Sequence, residues 1–358
     1  MGEAVVDVPS YHLPEASIAQ TPVEPRDSAR LLDALDFDAD RPDLGLADRV
    51  VSDLPLLVEP GDVVVVNNTK VLPARLRLRK PAGGLAEVLL LTPDPTDGRR
   101  WSALVRPGRR LPPGCVLGVS ASDVAPPEGF VALVEVGERL EGGLRTVRLL
   151  DDTEAVVARC GEMALPPYIK AALADPDRYQ TVYAAVPGSV AAPTAGLHLT
   201  RSVLDGLAER GARILTVDLA VGLGTFRPVK AARAEDHEMH SERYEVPEST
   251  WEECMAARRE GRRVVAVGTT TVRALESAAA TGRLSGESGL FIRPGFDWSL
   301  TDVLLTNFHQ PRSTLLLLLE AFVGPSWRHM YAEALRRGYR FLSFGDAMIA
   351  SRLDRPRR

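Results

Sequence analysis

Two histidines and five acidic residues share the twelve-residue stretch "EDHEMHSERYEV" (Glu235 to Val246), in a chain that has six histidines altogether. His237 and His240 are three apart with Pro247 close behind, whereas the helical zinc motif of metalloproteases needs a spacing of four. Both rings could still face one way on a helical turn with Glu242 beside them. No other His/Cys cluster completes a ligand shell, so acid–base chemistry or substrate hydrogen bonding is expected here and a metal is not. A histidine beside carboxylates is easily tuned to titrate near neutrality.

Three further stretches carry groups suited to binding. "VGTTTVRALES" puts Gly268, Thr269, Thr270 and Thr271 between a strand and a helix bearing Arg273 and Glu276. Hydroxyls and free N–H groups at a helix N-terminus suit a carboxylate, phosphate or ribose; the plainer alternative is a Thr N-cap. "AVGLGTFRPV" has Gly222 and Gly224 after a strand, but Pro228 replaces the third glycine and the helix of a dinucleotide fingerprint. Its glycines instead let backbone approach a flat ligand, with Arg227 as a nearby donor. "VAAPTAGLHLT" and "LLTNFHQPRSTL" present His198 and His309 among small polar residues, including Thr194 and Asn307, each ahead of an apolar helix. Lone histidines in such places also read as caps or packed side chains.

The elements that must position these residues follow from periodicity. "GDVVVVNNT" is a β-branched run bounded by turn residues, the pattern of a buried strand. From about Leu76 to Leu150, short apolar segments alternate with Gly/Pro turns, as in a small all-β domain. Beyond it helix and strand alternate, with Gly261 and Gly282 placed as helix C-caps and Thr200 as an N-cap. The expected architecture is therefore a discontinuous α/β domain, residues 1–75 plus 152–358, around a β insert at 76–151. The tail "SRLDRPRR" is expected to fray.

Composition narrows the classes. With 358 residues, 45% hydrophobic and 25% charged, the chain is a folded globular protein long enough for two domains. A net charge of −5 neither attracts nor repels nucleic acid as a whole, because local patches decide. Three scattered cysteines exclude a disulfide framework and fit a reducing cytoplasm. The longest apolar run, "TLLLLLEAFVG", is broken by Glu320 and is too short to span a bilayer, so no membrane role is expected.

The ordered blocks "AQTPVEPRDSARLL", "PGDVVVVNNTKVLPARL", "LPPYI", "RYQTVYAAVPGSVAAPTAGLHLT", "VGLGTFRPV", "DHEMHSERYEVP", "VGTTTVRALES", "LLTNFHQPRSTLLLLLEAFVG" and "RFLSFGDAM" closely resemble the S-adenosylmethionine:tRNA ribosyltransferase-isomerase family of queuosine biosynthesis, from about Ser17 to Ile349. The resemblance implies an α/β fold (mixed sheet, layered helices) with an inserted six-stranded antiparallel β-barrel domain. It implies a transferase and isomerase that uses S-adenosylmethionine as co-substrate on a tRNA anticodon loop carrying the deazaguanine precursor; a cytoplasmic monomer without a metal is expected. The ribosyl part of S-adenosylmethionine passes to 7-aminomethyl-7-deazaguanine at the wobble position, giving epoxyqueuosine, adenine and methionine. The sulfonium acidifies the C5′ protons, a base forms an ylide-like carbanion that expels adenine, the amine attacks, and methionine leaves as the epoxide closes.

Within that reaction His237, His240 and Glu242 are assigned to proton transfer. Thr269, Thr270 and Arg273 are assigned to gripping the methionine carboxylate or ribose, and Thr194, His198, Arg227, Asn307 and His309 to lining the shared pocket. The arginines of "RLRLRK" and "RPGRR" either clamp RNA phosphates or are solvated strand faces. Departures from the family pattern are "DLAVG", where Asp218 and Ala220 replace Thr and His, and Leu199 in place of an aromatic. They leave open a relative acting on a free deazapurine or other small amine, and an inactive RNA-binding paralogue.

Overall fold

A computed structural model describes residues 6–38, 40–41, 45–120, 129–222, 229, 231, 233–237 and 239–354. The chain divides into two compact units, Met1–Lys70 with Pro166–Arg358, and Val71–Leu165. The strands before the insert are β1 (Arg30–Ala34), β2 (Ala47–Val50), β3 (Val63–Asn67) and β4 (Thr69–Val71). Those of the insert are β5 (Arg75–Arg79), β6 (Leu85–Pro93), β7 (Arg100–Arg106), β8 (Cys115–Val119), β9 (Val131–Arg139), β10 (Arg145–Leu149) and β11 (Gly161–Glu162), with helix α1 (Thr153–Cys160). After it come β12 (Val186–Ser189), β13 (Arg213–Leu219), β14 (Glu242–Glu245), β15 (Val264–Val267), β16 (Ser285–Ser288), β17 (Val303–Asn307) and β18 (Ala347–Ser351). The helices there are α2 (Arg201–Glu209), α3 (Glu248–Glu260), α4 (Thr269–Thr281), α5 (Thr314–Val323) and α6 (Trp327–Arg336).

The larger unit is built on a nine-stranded sheet in the order β16-β14-β13-β3-β15-β17-β18-β1-β2. Neighbours among β13, β3, β15 and β17 are parallel, while β14 and β18 flank them antiparallel, so the sheet is mixed as expected. The four valines of β3 explain its central place. Val64 and Val66 pack with Val203, Leu204 and Leu207 of α2, whereas Val63 and Val65 pack with Cys254 and Ala257 of α3 and Leu275 of α4. A strand covered on both faces needs an apolar residue at every position, and burying each such side chain contributes about 1.5–3 kcal/mol.

The helix stops fall at the expected residues. Gly261 and Gly282 cap α3 and α4 in the left-handed conformation (φ 72° and 67°), which a side chain would strain. Thr200 caps α2 by accepting the Val203 N–H. The C-terminal expectation needs correcting for its first residues: Ser351 ends β18, and the N–H groups of Arg352 and Leu353 donate to Asp302 and Phe322 carbonyls. Residues 355–358 lie outside the described part.

The smaller unit is a closed barrel. Strands pair antiparallel in the order β5-β6-β7-β10-β9-β8, and β8 returns to β5 with Gly118 opposite Arg79. That makes six barrel strands, with β11 added outside β5. Alternation in "RWSALVR" puts Trp101, Ala103 and Val105 inward and Arg100 and Arg106 outward, the period-2 pattern closure requires. Among the described residues, no helix is long and apolar enough to cross a membrane.

Candidate active site

Because β13, β3, β15 and β17 run parallel, their carboxyl ends share one edge of the sheet, the place where open α/β sheets bind ligands. Sequence-assigned residues gather there around two clefts that share Leu315 near the start of α5.

The first cleft, of about 450 Å³ and partly open to solvent, is lined by His237, His240, Glu242 and Arg273, with Phe291, Leu290, Ile292 and Leu318 as apolar walls. Glu242 opens β14, the antiparallel neighbour of β13, and this pairing brings its Oε1 to the Gly222 N–H at 2.9 Å. Arg273, in the second turn of α4, donates Nη1 to Glu242 Oε2 and Nη2 to the Ser288 carbonyl at 3.1 Å. Both residues are 6% exposed. Each Glu242 oxygen thus has a donor, so the carboxylate ties Gly222 to α4. A buried pair of this kind adds little net stability, but removing one partner strands a buried charge.

The histidines of the opening stretch are freer. His237 follows a 3₁₀ turn, is half-buried, and meets the Phe291 ring edge-on at 5.7 Å. Partial burial, helped by the neighbouring His240, lowers its pKa from the ordinary histidine value, so the neutral, proton-accepting ring is favoured. His240 is exposed at the cleft wall. Among the described residues, no three His, Cys, Asp or Glu side chains group so as to hold a metal ion.

The second cleft, of about 340 Å³, collects Thr194, Asn307 and His309 with Tyr168, Gln310 and Ser343. Asn307 ends β17 and donates Nδ2 to the Leu342 carbonyl (3.0 Å) and to His198 Nε2 (3.2 Å). A carbonyl can only accept, which fixes the amide orientation; His198 Nε2 must then accept, leaving the ring proton on Nδ1. Burial, reinforced by the charges of Arg340, Arg178 and Arg26, pushes the His198 pKa down to about 4. His309 is buried too and falls to about 3, with its Nε2 3.1 Å from Thr306 Oγ1. Its backbone is pinned: the N–H donates to Tyr331 Oη and the carbonyl accepts from Tyr11 Oη.

Between the clefts, α4 begins at Gly268 rather than at a Thr cap. Gly268 has φ +89°, and a Cβ there would stand 3.6 Å from that of Ala195. Thr269 and Thr270 therefore head the helix with its unsatisfied N–H groups. Thr270 Oγ1, Arg273 Nε and Asn307 Oδ1 are all buried without a hydrogen-bond partner among the described residues. Orphaned polar atoms that follow β15 or end β17 are what a polar ligand would satisfy.

Arg227 lies outside the described residues, as does Gly224. Three contributors lie in the blocks quoted above but were not singled out there. Leu342 and Arg312 are non-glycine residues in the left-handed region (φ 69° and 55°), a conformation held at some cost where surrounding contacts demand it. Leu342 accepts from Asn307 and donates its N–H to the Phe308 carbonyl. Arg312 donates to the Ala231 carbonyl at 2.7 Å and accepts the Val229 N–H, tying the residues after 223–228 to the start of α5. Ser343 reaches the cleft through a 2.7 Å bond with Tyr168 Oη. Two of the departures lie just before Gly222: Asp218 bonds Arg243 at 2.5 Å, and the half-buried Ala220 donates its N–H to the Arg243 carbonyl.

A family profile described as "Queuosine biosynthesis protein" matches residues 7–350. The chain is 50% identical over 345 residues to an S-adenosylmethionine:tRNA ribosyltransferase-isomerase of Thermus thermophilus, covering 95% of this chain and 97% of that one. It is 49% identical over 340 residues to the protein of that name from Rubrobacter xylanophilus, covering 95% of each. Among solved structures it is similar to an S-adenosylmethionine tRNA ribosyltransferase from Thermotoga maritima, at 33% identity and a TM-score of 0.52, over 95% of this chain and 99% of that one.

Proposed function

The chain belongs to the queuosine biosynthesis protein family, and on that premise we propose that it transfers and isomerises the ribosyl part of S-adenosylmethionine onto 7-aminomethyl-7-deazaguanine at the tRNA wobble position. Epoxyqueuosine forms, and adenine and methionine leave. The observation that carries this reading is the near full-length match on both sides to relatives of that name.

The geometry supports a division of labour. His237 and His240, the accessible histidines, move protons: one takes the C5′ proton made acidic by the sulfonium and the other supplies the departing adenine. Glu242, assigned to proton transfer by its place in the sequence, has both oxygens held and serves to position Gly222 and Arg273. Thr269 and Thr270 at the head of α4 suit the methionine carboxylate, and the orphaned Thr270 hydroxyl and Arg273 Nε give S-adenosylmethionine unsatisfied donors to meet. Asn307, with its free Oδ1, and Thr194 and His309 line a recess suited to the deazaguanine, while Arg227 is proposed as a further donor from the 220s loop. The apolar side chains of the first cleft, Phe291, Leu290, Ile292 and Leu318, would limit the water in contact with a carbanion formed against them.

The compartment proposed is the cytoplasm and the working form a monomer. Incubation with S-adenosylmethionine and tRNA bearing the deazaguanine precursor, followed by nucleoside mass spectrometry, should yield epoxyqueuosine. Release of adenine and methionine without modified tRNA would instead point to a small-amine acceptor.

A further inference from the structure

A third recess, of about 240 Å³, lies against the second cleft and shares Ser343 with it. Its polar wall is formed by Arg26, Arg178 and His198. All three present donors. His198, whose Nε2 is occupied by Asn307, keeps its N–H on Nδ1. Arg26 is fixed by neutral main-chain acceptors, the carbonyls of Gln180 (2.6 Å), Leu197 (3.4 Å) and Asp177 (2.8 Å). Arg178 is 9% exposed; it bonds the Val23 carbonyl through Nη2 and Glu24 through Nε, and its Nη1 is buried with no partner among the described residues.

Among the described residues, the lining of the recess includes two arginines and no carboxylate. Glu24, the carboxylate on Arg178, is itself largely solvated, with a side chain 65% exposed. Asp175 and Asp177 act on Arg26, and Asp346 bonds Arg340 at 3.4 Å. Even so, the charges felt by the His198 ring are those of Arg340, Arg178 and Arg26. A buried guanidinium N–H without an acceptor is costly, and a charged hydrogen bond to a ligand would relieve it.

We infer that this recess is an oxyanion subsite that takes a phosphodiester of the RNA acceptor, with Arg178 facing the phosphate and Arg26 holding the frame around it. The inference rests on the RNA-acceptor reading above. A nucleotide carries phosphates on both sides of its sugar, so a base seated in the cleft lined by Asn307 and Ser343 brings one toward the neighbouring recess. The methionine carboxylate already has donors at the head of α4.

The test is binding of an anticodon stem-loop RNA by the full chain across a salt series. Arg178→Gln should bind roughly tenfold more weakly, as expected for loss of one charged hydrogen bond, with KM for S-adenosylmethionine unchanged. The slope of log affinity against log salt should become shallower by about 0.7–0.9, one phosphate contact. Glu24→Gln removes the exposed competing carboxylate and should tighten RNA binding several-fold, a result that stands even if Arg178→Gln fails to fold. Unchanged affinity and slope in Arg178→Gln, unchanged affinity in Glu24→Gln, or a raised KM for S-adenosylmethionine at constant RNA affinity would each overturn the subsite. Failure of the unmodified protein to bind the stem-loop would remove the RNA-acceptor reading itself, a different result from failure of the variants alone.

Discussion

The first cleft, on one side, and the second cleft with the recess beside it, on the other, hold the same residue type under opposite conditions. His237 and His240 stand at a solvent-open wall, whereas His198 and His309 are only 5% and 7% exposed. Burial without a carboxylate partner disfavours the imidazolium, so the second pair stays neutral at physiological pH and acts through fixed hydrogen bonds. The first pair borders a cleft that is partly open to solvent, and only partial burial acts on the His237 ring. Burial, more than residue type, separates the two pairs of histidines, and it is the ground on which different roles are proposed for them.

The sharpest way to break that contrast is His240→Ala, expected to slow single-turnover adenine release at saturating S-adenosylmethionine by about 10²–10⁴-fold, the range for loss of a general acid or base. An unchanged rate would take His240 out of the chemistry and leave the first cleft no different in kind from the second. Next in size is Arg273→Met, which leaves Glu242 buried without its cation and should lower stability by about 3–5 kcal/mol in urea unfolding. Adding Glu242→Gln should recover part of that loss, because the cost lies in the stranded charge.

A pH series probes the buried pair. The His198 pKa is lowered in the fold from 6.5 to about 4, so between those values the unfolded chain binds the proton and the folded one does not. Its contribution is therefore fully present above pH 6.5 and is lost as pH falls toward 4, with a slope of up to about 1.4 kcal/mol per pH unit. His198→Leu should flatten stability against pH over that window; an equal slope in variant and parent would mean that the ring titrates normally. The smallest effect is expected from Thr270→Val. It exchanges an unpartnered hydroxyl for a methyl, so the stability of the free protein should move by no more than about 1 kcal/mol, while KM for S-adenosylmethionine rises.

Much of this organisation was legible in the residues. The valine run of β3, the glycine stops of α3 and α4 and the period-2 insert follow from local rules, and the structure places elements accordingly. The groups of the first cleft were found because they lie close together in one unusual stretch, joined by Arg273 from a motif at a strand end. What escaped was of two kinds. The role of Glu242 depends on the Gly222 N–H, twenty residues away, which meets it only once β13 and β14 pair. Arg26 and Gln180 meet across 154 residues, and Leu342 and Arg312 matter through backbone angles that no residue type there announces.

The amino-acid order alone therefore determined the family, the strand and helix periods, the barrel insert and the cast of polar residues, since each depends on short-range pattern or on ordered blocks along the chain. Only the tertiary structure decided which histidines are buried, which carboxylate already has a donor on each oxygen, and which guanidinium nitrogens lack an acceptor among the described residues. Those properties depend on burial and on partners brought from distant segments, and neither exists until the sheet has assembled.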